Sequence, residues 1–253
     1  LRLLHRAARN SALDRSAALG QAVDPNADLP FAAAEATLVA SRLTSGQRTE
    51  KAGGQATADA ALSLFTGSDL VHFCGHGSFD PRDPMQSRLH CAPNPGETDG
   101  TLSVRRLIEL GTVRCRLAIL SSCESGRTEE ADELDDAIGL PGALLAAGCR
   151  SVLATMWRVD DLAACLFVDE ASARWIAGQT TWSHAVSGAA GWLRGAERAE
   201  LEARVATWGA RGVDDAIVEL AARRLREHAQ GSRPFAAPIH WAAFFLTGLP
   251  DVS

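Results

Sequence analysis

The sequence predicts a three-layer α/β/α sandwich with a mostly parallel central sheet. Short apolar segments alternate along the chain with segments of helix-forming residues, which is typical of a sheet covered by helices on both faces. The segment RLAILSS, residues 116–122, is apolar on both of its faces, as expected of a central strand in a parallel sheet. The 253 residues contain no internal repeat and no low-complexity linker, which favours one main domain.

The elements follow in order from the amino terminus. Residues 1–15 have apolar side chains at helical spacing, so we assign them to the tail of an upstream helical region and residues 16–253 to the main domain. The predicted strands are short apolar runs bounded by turn residues: AALGQAV, DLVHFCG, RLAILSS, RSVLATMW and HWAAFFLTG. The predicted helices contain strong helix formers: FAAAEATLVASRL, 57–65, LSVRRLIEL, a segment ending at Gly148, DLAACLFVDEASARWIAG and most of 180–230. Residues 78–100 contain four prolines, and such a long irregular connection often belongs to a functional site.

Composition and charge exclude several classes of function. The net charge of −6 argues against nonspecific binding to nucleic acids and to anionic membranes. No segment approaches the roughly 20 consecutive apolar residues of a membrane span. The six cysteines lack paired spacing, which favours a reducing cytosol over a disulfide scaffold. We therefore expect a cytoplasmic protein and, since the chain begins with Leu, a piece of a longer polypeptide.

Two strand ends carry reactive side chains. The first strand ends in HFCGHG, which contains His76, and the second in LAILSSCESG, which contains Cys123. Ligands of such sheets bind beyond the carboxyl ends of the strands, so neighbouring strands would bring these residues together although 47 positions separate them. A cysteine attacks as its thiolate, and a nearby imidazole can remove the thiol proton.

Glycines beside the histidine fit the same chemistry. Gly75 and Gly77 would let the backbone turn around His76 and approach a substrate closely. The amides of Gly77 and Cys123, if left without strand partners, could donate to a developing oxyanion. Either residue of the His76–Cys123 pair alone would most often be a packing or surface residue, so the prediction depends on their joint placement.

A metal site is the competing interpretation of the segment. In a strand, His72, Cys74 and His76 point to one face, and Cys91 follows in the sequence, so four zinc-type ligands are available. However, His72 and Cys74 lie in the apolar part of the strand and lack the short paired spacing of structural zinc sites. We interpret these two as packing residues and expect neither a metal nor a cofactor.

Six motifs follow one another over roughly residues 20–249: DPNADLPFAAAEA, HFCGHGSFD, SRLH, LAILSSCESG, GLPGALLAAGCRSVLATMWRVDD and RPFAAPIHWAAFFLTG. In this order they resemble the motifs of the CHAT domain family, caspase-like cysteine peptidase domains related to separase. Cys74 stands where small residues are common in the family and Ser125 where Thr is frequent. Neither difference removes a catalytic group.

The resemblance implies a caspase-like fold with a His–Cys dyad, His76 and Cys123, that needs no cofactor. It also implies a bacterial protein in which an upstream repeat or sensor module controls cleavage of a protein substrate, with a role in antiviral defence or cell death. The alternative is a catalytically silent interaction module that transmits a signal from such a sensor.

Separase-like relatives favour basic residues before the cleaved bond, which requires a carboxylate in the substrate pocket. The candidates are Glu124, beside the nucleophile, and Asp160 and Asp161, after the WRV strand end. Capping of the following helix is the simpler role for Asp160 or Asp161. Residues 127–137 carry six acids and form either a solvated surface or an activation loop that becomes ordered on docking.

Overall fold

The computed structural model describes residues 16–44, 46–80, 82–123, 139–177 and 181–249, with the side chains of 122, 123 and 177 excepted. Within these residues a single mixed sheet contains eight strands, in the order β2-β1-β3-β6-β7-β8, with β4 and β5 attached to the end of β3. The strands are β1 (Leu19–Val23), β2 (Arg48–Ala52), β3 (Leu70–Ser78), β4 (Arg88–His90), β5 (Thr101–Ser103), β6 (Leu117–Cys123), β7 (Ser151–Thr155) and β8 (Phe244–Gly248).

The first five strands of that order are parallel, and β8 runs antiparallel to β7 at the edge. Helices cover both faces of this sheet. They are α1 (Ala32–Ala40), α2 (Ala58–Gly67), α3 (Val104–Leu110), α4 (Leu140–Ala146), α5 (Asp161–Ala177), α6 (Trp182–Gly195), α7 (Arg198–Ala206), α8 (Asp215–Arg226) and α9 (Pro238–Trp241). None of the helices in the described ranges is both long and apolar enough to cross a membrane.

Alternating side chains of the central strands pack into two separate hydrophobic cores, one on each face of the sheet. Leu70 and Ile119 pack with α1, α5 and α6, whereas their neighbours Val71 and Leu120 pack with α2, α3 and α4 on the opposite face. Successive residues of a strand point to opposite faces, so a strand that is apolar throughout requires cover on both sides. The predicted three-layer sandwich with a mostly parallel sheet is confirmed.

A buried carboxylate on α5 joins this helix to its neighbours. Asp169 is fully buried and accepts hydrogen bonds from Arg42 Nη2 at 2.8 Å, Arg211 Nη1 at 2.7 Å and Trp208 Nε1 at 3.3 Å, with Arg204 Nη1 at 3.4 Å. Burial alone would raise the pKa of Asp169, but the guanidinium groups of Arg211 and Arg42 outweigh it and lower the pKa. Asp169 therefore stays charged in the core and fixes α5 against α1 and α7.

Parts of the predicted element order differ from the structure, including β4, which lies within the connection predicted to be irregular. Strand β2 was not predicted, because RTEKA alternates between exposed and half-buried polar residues at the edge of the sheet. His240 and Trp241, expected in the last strand, lie in the short helix α9, and β8 begins only at Phe244. Pro238 at the start of α9 provides a fixed φ angle suited to a first helical turn.

Candidate active site

His76 and Cys123 occupy corresponding positions on neighbouring central strands. Strands β3 and β6 are parallel, and their register pairs Leu70 with Leu117 at one end and His76 with Cys123 at the other. Both residues thus lie at the carboxyl-terminal edge of the sheet, where α/β proteins bind ligands. The expected adjacency of the two strand ends is confirmed, while the catalytic roles of the two residues remain predictions.

A carboxylate that the sequence did not single out contacts the histidine. His76 Nε2 lies 2.9 Å from Asp28 Oδ1, and 27% of the His76 side chain is exposed. Asp28 belongs to the DPNADLP segment between β1 and α1, and the parallel pairing of β1 with β3 places that segment beside the end of β3. Only the three-dimensional pairing makes this contact visible, since 48 residues separate Asp28 from His76.

The loop that carries Asp28 is held in an unusual backbone conformation. Asp24 and Ala27 have φ angles of 43° and 56°, in the left-handed region that costs residues with a Cβ about 1 kcal/mol or more. Asp24 Oδ1 accepts hydrogen bonds from the amides of Asp28 at 3.0 Å and Leu29 at 3.3 Å, and the Asp24 amide donates to the Cys74 carbonyl at 2.7 Å. These bonds join the loop to β3 and so position the Asp28 carboxylate.

The two glycines beside His76 have different environments. A Cβ on Gly75 would lie 2.7 Å from Phe73 Cε1 and 3.1 Å from Pro25 Cδ, so the close packing of the loop against β3 requires glycine there. Gly77 belongs to β3 and is the register partner of Leu89 in the antiparallel strand β4. Cys123 likewise ends β6 and is the register partner of His76, so the expectation that Gly77 and Cys123 lack strand partners is wrong, and their roles as oxyanion donors remain predictions.

A cleft of about 350 Å³ opens beside His76 and is lined by residues of β3, β6, the β1–α1 loop and the start of α5. Ser121, two positions before Cys123, also lines it. The charged lining residues are Asp28, Glu35, Asp160, Asp161, Arg158 and Arg224. Four carboxylates against two guanidinium groups make the cleft acidic.

Asp160 caps α5 and forms an ion pair with Arg224. Its Oδ1 accepts a hydrogen bond from the Ala163 amide at 3.1 Å, which confirms the predicted capping role. Its Oδ2 accepts a hydrogen bond from Arg224 Nη2, and the Arg224 guanidinium lies over the Phe31 ring at 5.6 Å. Asp160 therefore already has a cationic partner at the wall of the cleft.

Asp161 caps a different helix from the one expected. Its Oδ2 accepts a hydrogen bond of 2.9 Å from the amide of Phe31, the residue that precedes α1. Burial, together with the nearby carboxylates of Glu35 and Asp160, raises the pKa of Asp161 to about 6, although the bond from Phe31 opposes this shift. Around neutral pH the Asp161 carboxylate is thus mostly ionised yet poorly solvated.

A second histidine–cysteine contact lies below the cleft, and its geometry does not suit nucleophilic catalysis. Cys74 Sγ is 3.1 Å from His72 Nε2, but the same nitrogen is 2.7 Å from Glu35 Oε1, so one ring nitrogen serves both neighbours. Both residues are buried, as predicted for packing residues. Burial, followed by the charge of Glu35, raises the pKa of Cys74 well above its usual value, so its thiol stays protonated.

The four ligands of the competing zinc-site interpretation do not lie close together. Cys91 packs with α2 and α3 on the opposite face of the sheet from His72 and Cys74, and His76 Nε2 contacts Asp28. Glu124 and the acidic segment 127–137, predicted for substrate binding and activation, lie outside the described residues.

Comparisons with known proteins agree with this fold. A family model described as CHAT domain matches residues 1–249. Two crystal structures of the Saccharomyces cerevisiae separase–securin complex are similar to this chain, with 16% and 17% sequence identity and TM-scores of 0.54 and 0.55. Each similarity covers 98% of this chain and 13% of the solved chain. A comparison with curated protein sequences finds no match.

Proposed function

The chain belongs to the CHAT domain family, and from that premise we propose that it is a cysteine endopeptidase with Cys123 as nucleophile and His76 as acid–base group. The observation that carries the proposal is the register pairing of these two residues at the carboxyl-terminal edge of a caspase-like sheet. The pairing is a property of the two central strands and does not depend on the conformation of a loop.

Asp28 supplies a third group to this proposed site. Because its carboxylate accepts a hydrogen bond from His76 Nε2, the imidazole is held in one orientation and Nδ1 is the nitrogen that can take up the thiol proton. A base whose ring is fixed by a second group is the usual arrangement around an activated nucleophile. In this proposal Asp28 is a positioning residue that acts through His76.

The reaction proceeds through an acyl-enzyme. His76 accepts the proton of Cys123 as the sulfur forms a bond to the carbonyl carbon of the substrate, whose oxygen takes up the electron pair. The intermediate collapses, the carbon–nitrogen bond breaks and His76 returns the proton to the leaving amine. Water, deprotonated by the same imidazole, then attacks the thioester and releases the acid and the free thiol.

Backbone amides are the proposed donors to the oxyanion. The amides of Gly77 and Cys123 are the candidates, since they belong to the residues that adjoin or form the dyad. Preorganised amides of this kind stabilise the charge that develops on the carbonyl oxygen.

The acidic cleft supports a preference for basic residues before the cleaved bond. Asp160, Asp161 and, beside the nucleophile, Glu124 are the proposed contacts for an Arg or Lys side chain. Asp161 is the strongest of the described candidates, because its acceptor bond comes from a neutral backbone amide, whereas Asp160 is already paired with Arg224. A guanidinium entering the cleft could therefore pair with Asp161 without displacing another cation.

We also propose how the enzyme is used. A protein substrate, cleaved in the bacterial cytoplasm under control of an upstream repeat or sensor module, fits the family and suits defence against phage or regulated cell death. The similar separase structures contain a second protein, securin, which supports a protein partner here. The acidic segment 127–137 is the proposed activation loop.

Cleavage of fluorogenic peptides tests the proposal. The peptides carry Arg, Lys, Asp, Leu or Gln before the scissile bond, and the proteins compared are the wild type, Cys123→Ala, His76→Ala and Cys91→Ala. The last is the matched control, since Cys91 is a buried cysteine in the core on the opposite face of the sheet. We expect cleavage after Arg and Lys, loss of at least about 100-fold in both dyad variants and full activity in the control.

Two results would contradict the proposal. Activity retained in Cys123→Ala would exclude this cysteine as the nucleophile. If the wild type cleaves no peptide and an electrophilic peptide fails to label Cys123, while Cys123→Ala still binds the upstream module as the wild type does, the domain is an interaction module.

A further inference from the structure

Three different metal-binding side chains meet beneath the cleft. Glu35 on α1 and His72 and Cys74 on β3 bring a carboxylate, an imidazole and a thiol into mutual contact. His72 Nε2 lies 2.7 Å from Glu35 Oε1 and 3.1 Å from Cys74 Sγ, and Cys74 Sγ lies 3.7 Å from Glu35 Oε1. All three residues are buried, yet Glu35 and Cys74 also line the cleft, so an ion could reach them from solvent.

These atoms surround a point at which an ion would contact all three. A point about 1 Å above their plane is about 2.1 Å from each atom, given separations of 2.7, 3.1 and 3.7 Å. Zinc binds oxygen and nitrogen at roughly 2.0–2.2 Å and sulfur at roughly 2.3 Å, so tetrahedral binding requires Glu35 Oε1 and His72 Nε2 to move apart by about 0.6 Å, as the ion replaces their hydrogen bond, and Cys74 Sγ to shift by a few tenths of an ångström. The cleft side would offer the fourth position to water.

We propose that Glu35, His72 and Cys74 form a binding site for a zinc-type divalent cation at the floor of the cleft. The site is separate from the His76–Cys123 pair and takes no part in peptide hydrolysis. Because its ligands come from α1 and β3, the bound ion would join these elements and stabilise the loop that carries Asp28.

Charge balance favours an ion at this place. The side-chain partners of Glu35 among the described residues are His72 and Cys74, and neither carries a fixed positive charge. A buried carboxylate without a cation is costly, and Asp161 adds a second carboxylate close to the same floor. A divalent cation would compensate Glu35 and the Cys74 thiolate together, with the thiol proton released to solvent on binding.

An orphaned polar atom beside His72 provides an independent observation. Gln21 Nε2 donates to the Ala36 carbonyl at 2.9 Å and lies 3.3 Å from His72 Nδ1, whereas the buried Gln21 Oε1 has no hydrogen-bond partner among the described residues. A metal on Nε2 requires the ring proton on Nδ1, and metal-bound histidines usually donate that proton to an oxygen. Because a simple amide flip would set Oε1 against the Ala36 carbonyl oxygen, metal binding would require the Gln21 side chain to swing away from Ala36 so that Oε1 accepts the Nδ1 proton.

Metal titration of a dyad-free protein tests the site. The chelator-treated His76→Ala/Cys123→Ala double variant is used, so that the proposed catalytic pair cannot bind the ion. We expect one equivalent of Zn²⁺ by calorimetry and a rise in the thermal midpoint. With Co²⁺ as the probe, we expect the near-ultraviolet charge-transfer band of a cobalt–thiolate bond.

Cys74→Ser, made in the same background, should weaken Zn²⁺ binding at least about 100-fold and abolish the cobalt band. Cys149→Ser is the matched control. Cys149 is also a buried cysteine, with its Sγ 3.6 Å from Cys115 Sγ, but it lies outside the proposed site, so its replacement should change neither measurement. If Cys74→Ser does not fold, Glu35→Gln replaces it, and the cobalt band needs no substitution among the three ligands.

The outcomes separate this inference from the proposed function. No stoichiometric Zn²⁺ binding, or no cobalt–thiolate band, in the double variant would overturn the metal site and leave the peptidase proposal intact. Binding that survives Cys74→Ser, or that disappears in Cys149→Ser, would also overturn it. Loss of peptide cleavage in the dyad variants has no bearing on the metal site.

Discussion

His76 Nε2 is hydrogen-bonded to Asp28 Oδ1 at 2.9 Å, across a gap of 48 residues in the chain. The contact joins the end of a central strand to a loop whose own shape depends on Asp24 and on two left-handed residues. An imidazole held in this way loses little orientational freedom when it accepts a proton, so in the proposed peptidase we expect the carboxylate to contribute to rate through geometry.

Replacing Asp28 with Asn should lower kcat for peptide cleavage about 10-fold and leave KM nearly unchanged, because the ring of His76 loses its charged partner while the cleft keeps its shape. Steady-state kinetics measure both constants. Asp59→Asn serves as control, since Asp59 pairs with Arg106 on the far side of the sheet. Equal kcat values for Asp28→Asn and the wild type would show that the contact is incidental.

Asp161 should make the fold less stable as the pH rises. Its pKa is about 6 in the folded protein, against an ordinary value of 3.8, so the unfolded chain gives up this proton at lower pH. Stability associated with Asp161 is therefore complete below about pH 4 and is lost as the pH passes about 6. The free energy of unfolding of Asp161→Asn, measured relative to that of the wild type, should therefore increase by about 2 kcal/mol from pH 4 to pH 8.

Urea denaturation at the two pH values checks the Asp161 prediction. The difference in unfolding free energy between Asp161→Asn and the wild type is compared with that for Asp215→Asn, an exposed carboxylate at the start of α8. A difference for Asp161→Asn that stays constant with pH would mean that burial does not perturb this carboxyl group.

Asp169→Asn should destabilise the fold by about 3 kcal/mol at neutral pH, because three guanidinium groups would lose a buried carboxylate. The pKa of Asp169 is lowered in the fold, so its contribution is present above 3.8 and disappears as the pH falls through the folded value. Glu219→Gln, which removes an exposed partner of Arg226, should cost less than about 1 kcal/mol in the same urea titrations. Similar losses for both variants would argue against a special role for Asp169.

Gly75→Ala should cost about 1–3 kcal/mol of stability and also reduce peptide cleavage, because the new methyl group would push on Pro25 in the loop that presents Asp28. Gly54→Ala is the control, since a Cβ there meets no atom within 4 Å. Thermal melts and cleavage assays on both proteins test the prediction. If Gly75→Ala is as stable and as active as Gly54→Ala, the close packing at Gly75 has no consequence.

The buried strands could be predicted from the sequence, because their apolar character on both faces permits few alternatives. RLAILSS corresponds to β6 and DLVHFCG to most of β3. Strand β2 could not be predicted, since an edge strand needs no apolar face and RTEKA looks like a loop. The end of β3 was placed too early because β4, which pairs with Gly77, has only three residues.

At the site, the adjacency of His76 and Cys123 followed from a topological rule about strand ends and needed no atomic detail. Asp28 and Glu35 were missed because each acts through a contact between elements distant in sequence, and a lone acid in a loop or helix has no distinctive pattern. For the same reason, the sequence could not show that Asp161 caps α1, since its partner, the amide of Phe31, is 130 residues away.

The register between β3 and β6 has a consequence for how the proposed peptidase could be controlled. Positions 76 and 123 form the last pair of the continuous ladder between the two central strands, so the pairs that precede them hold their backbones side by side. If an upstream module regulates the proposed peptidase, it has little freedom to assemble the dyad. It would instead have to control substrate access, by opening or shaping the path along which a polypeptide reaches the paired His76 and Cys123.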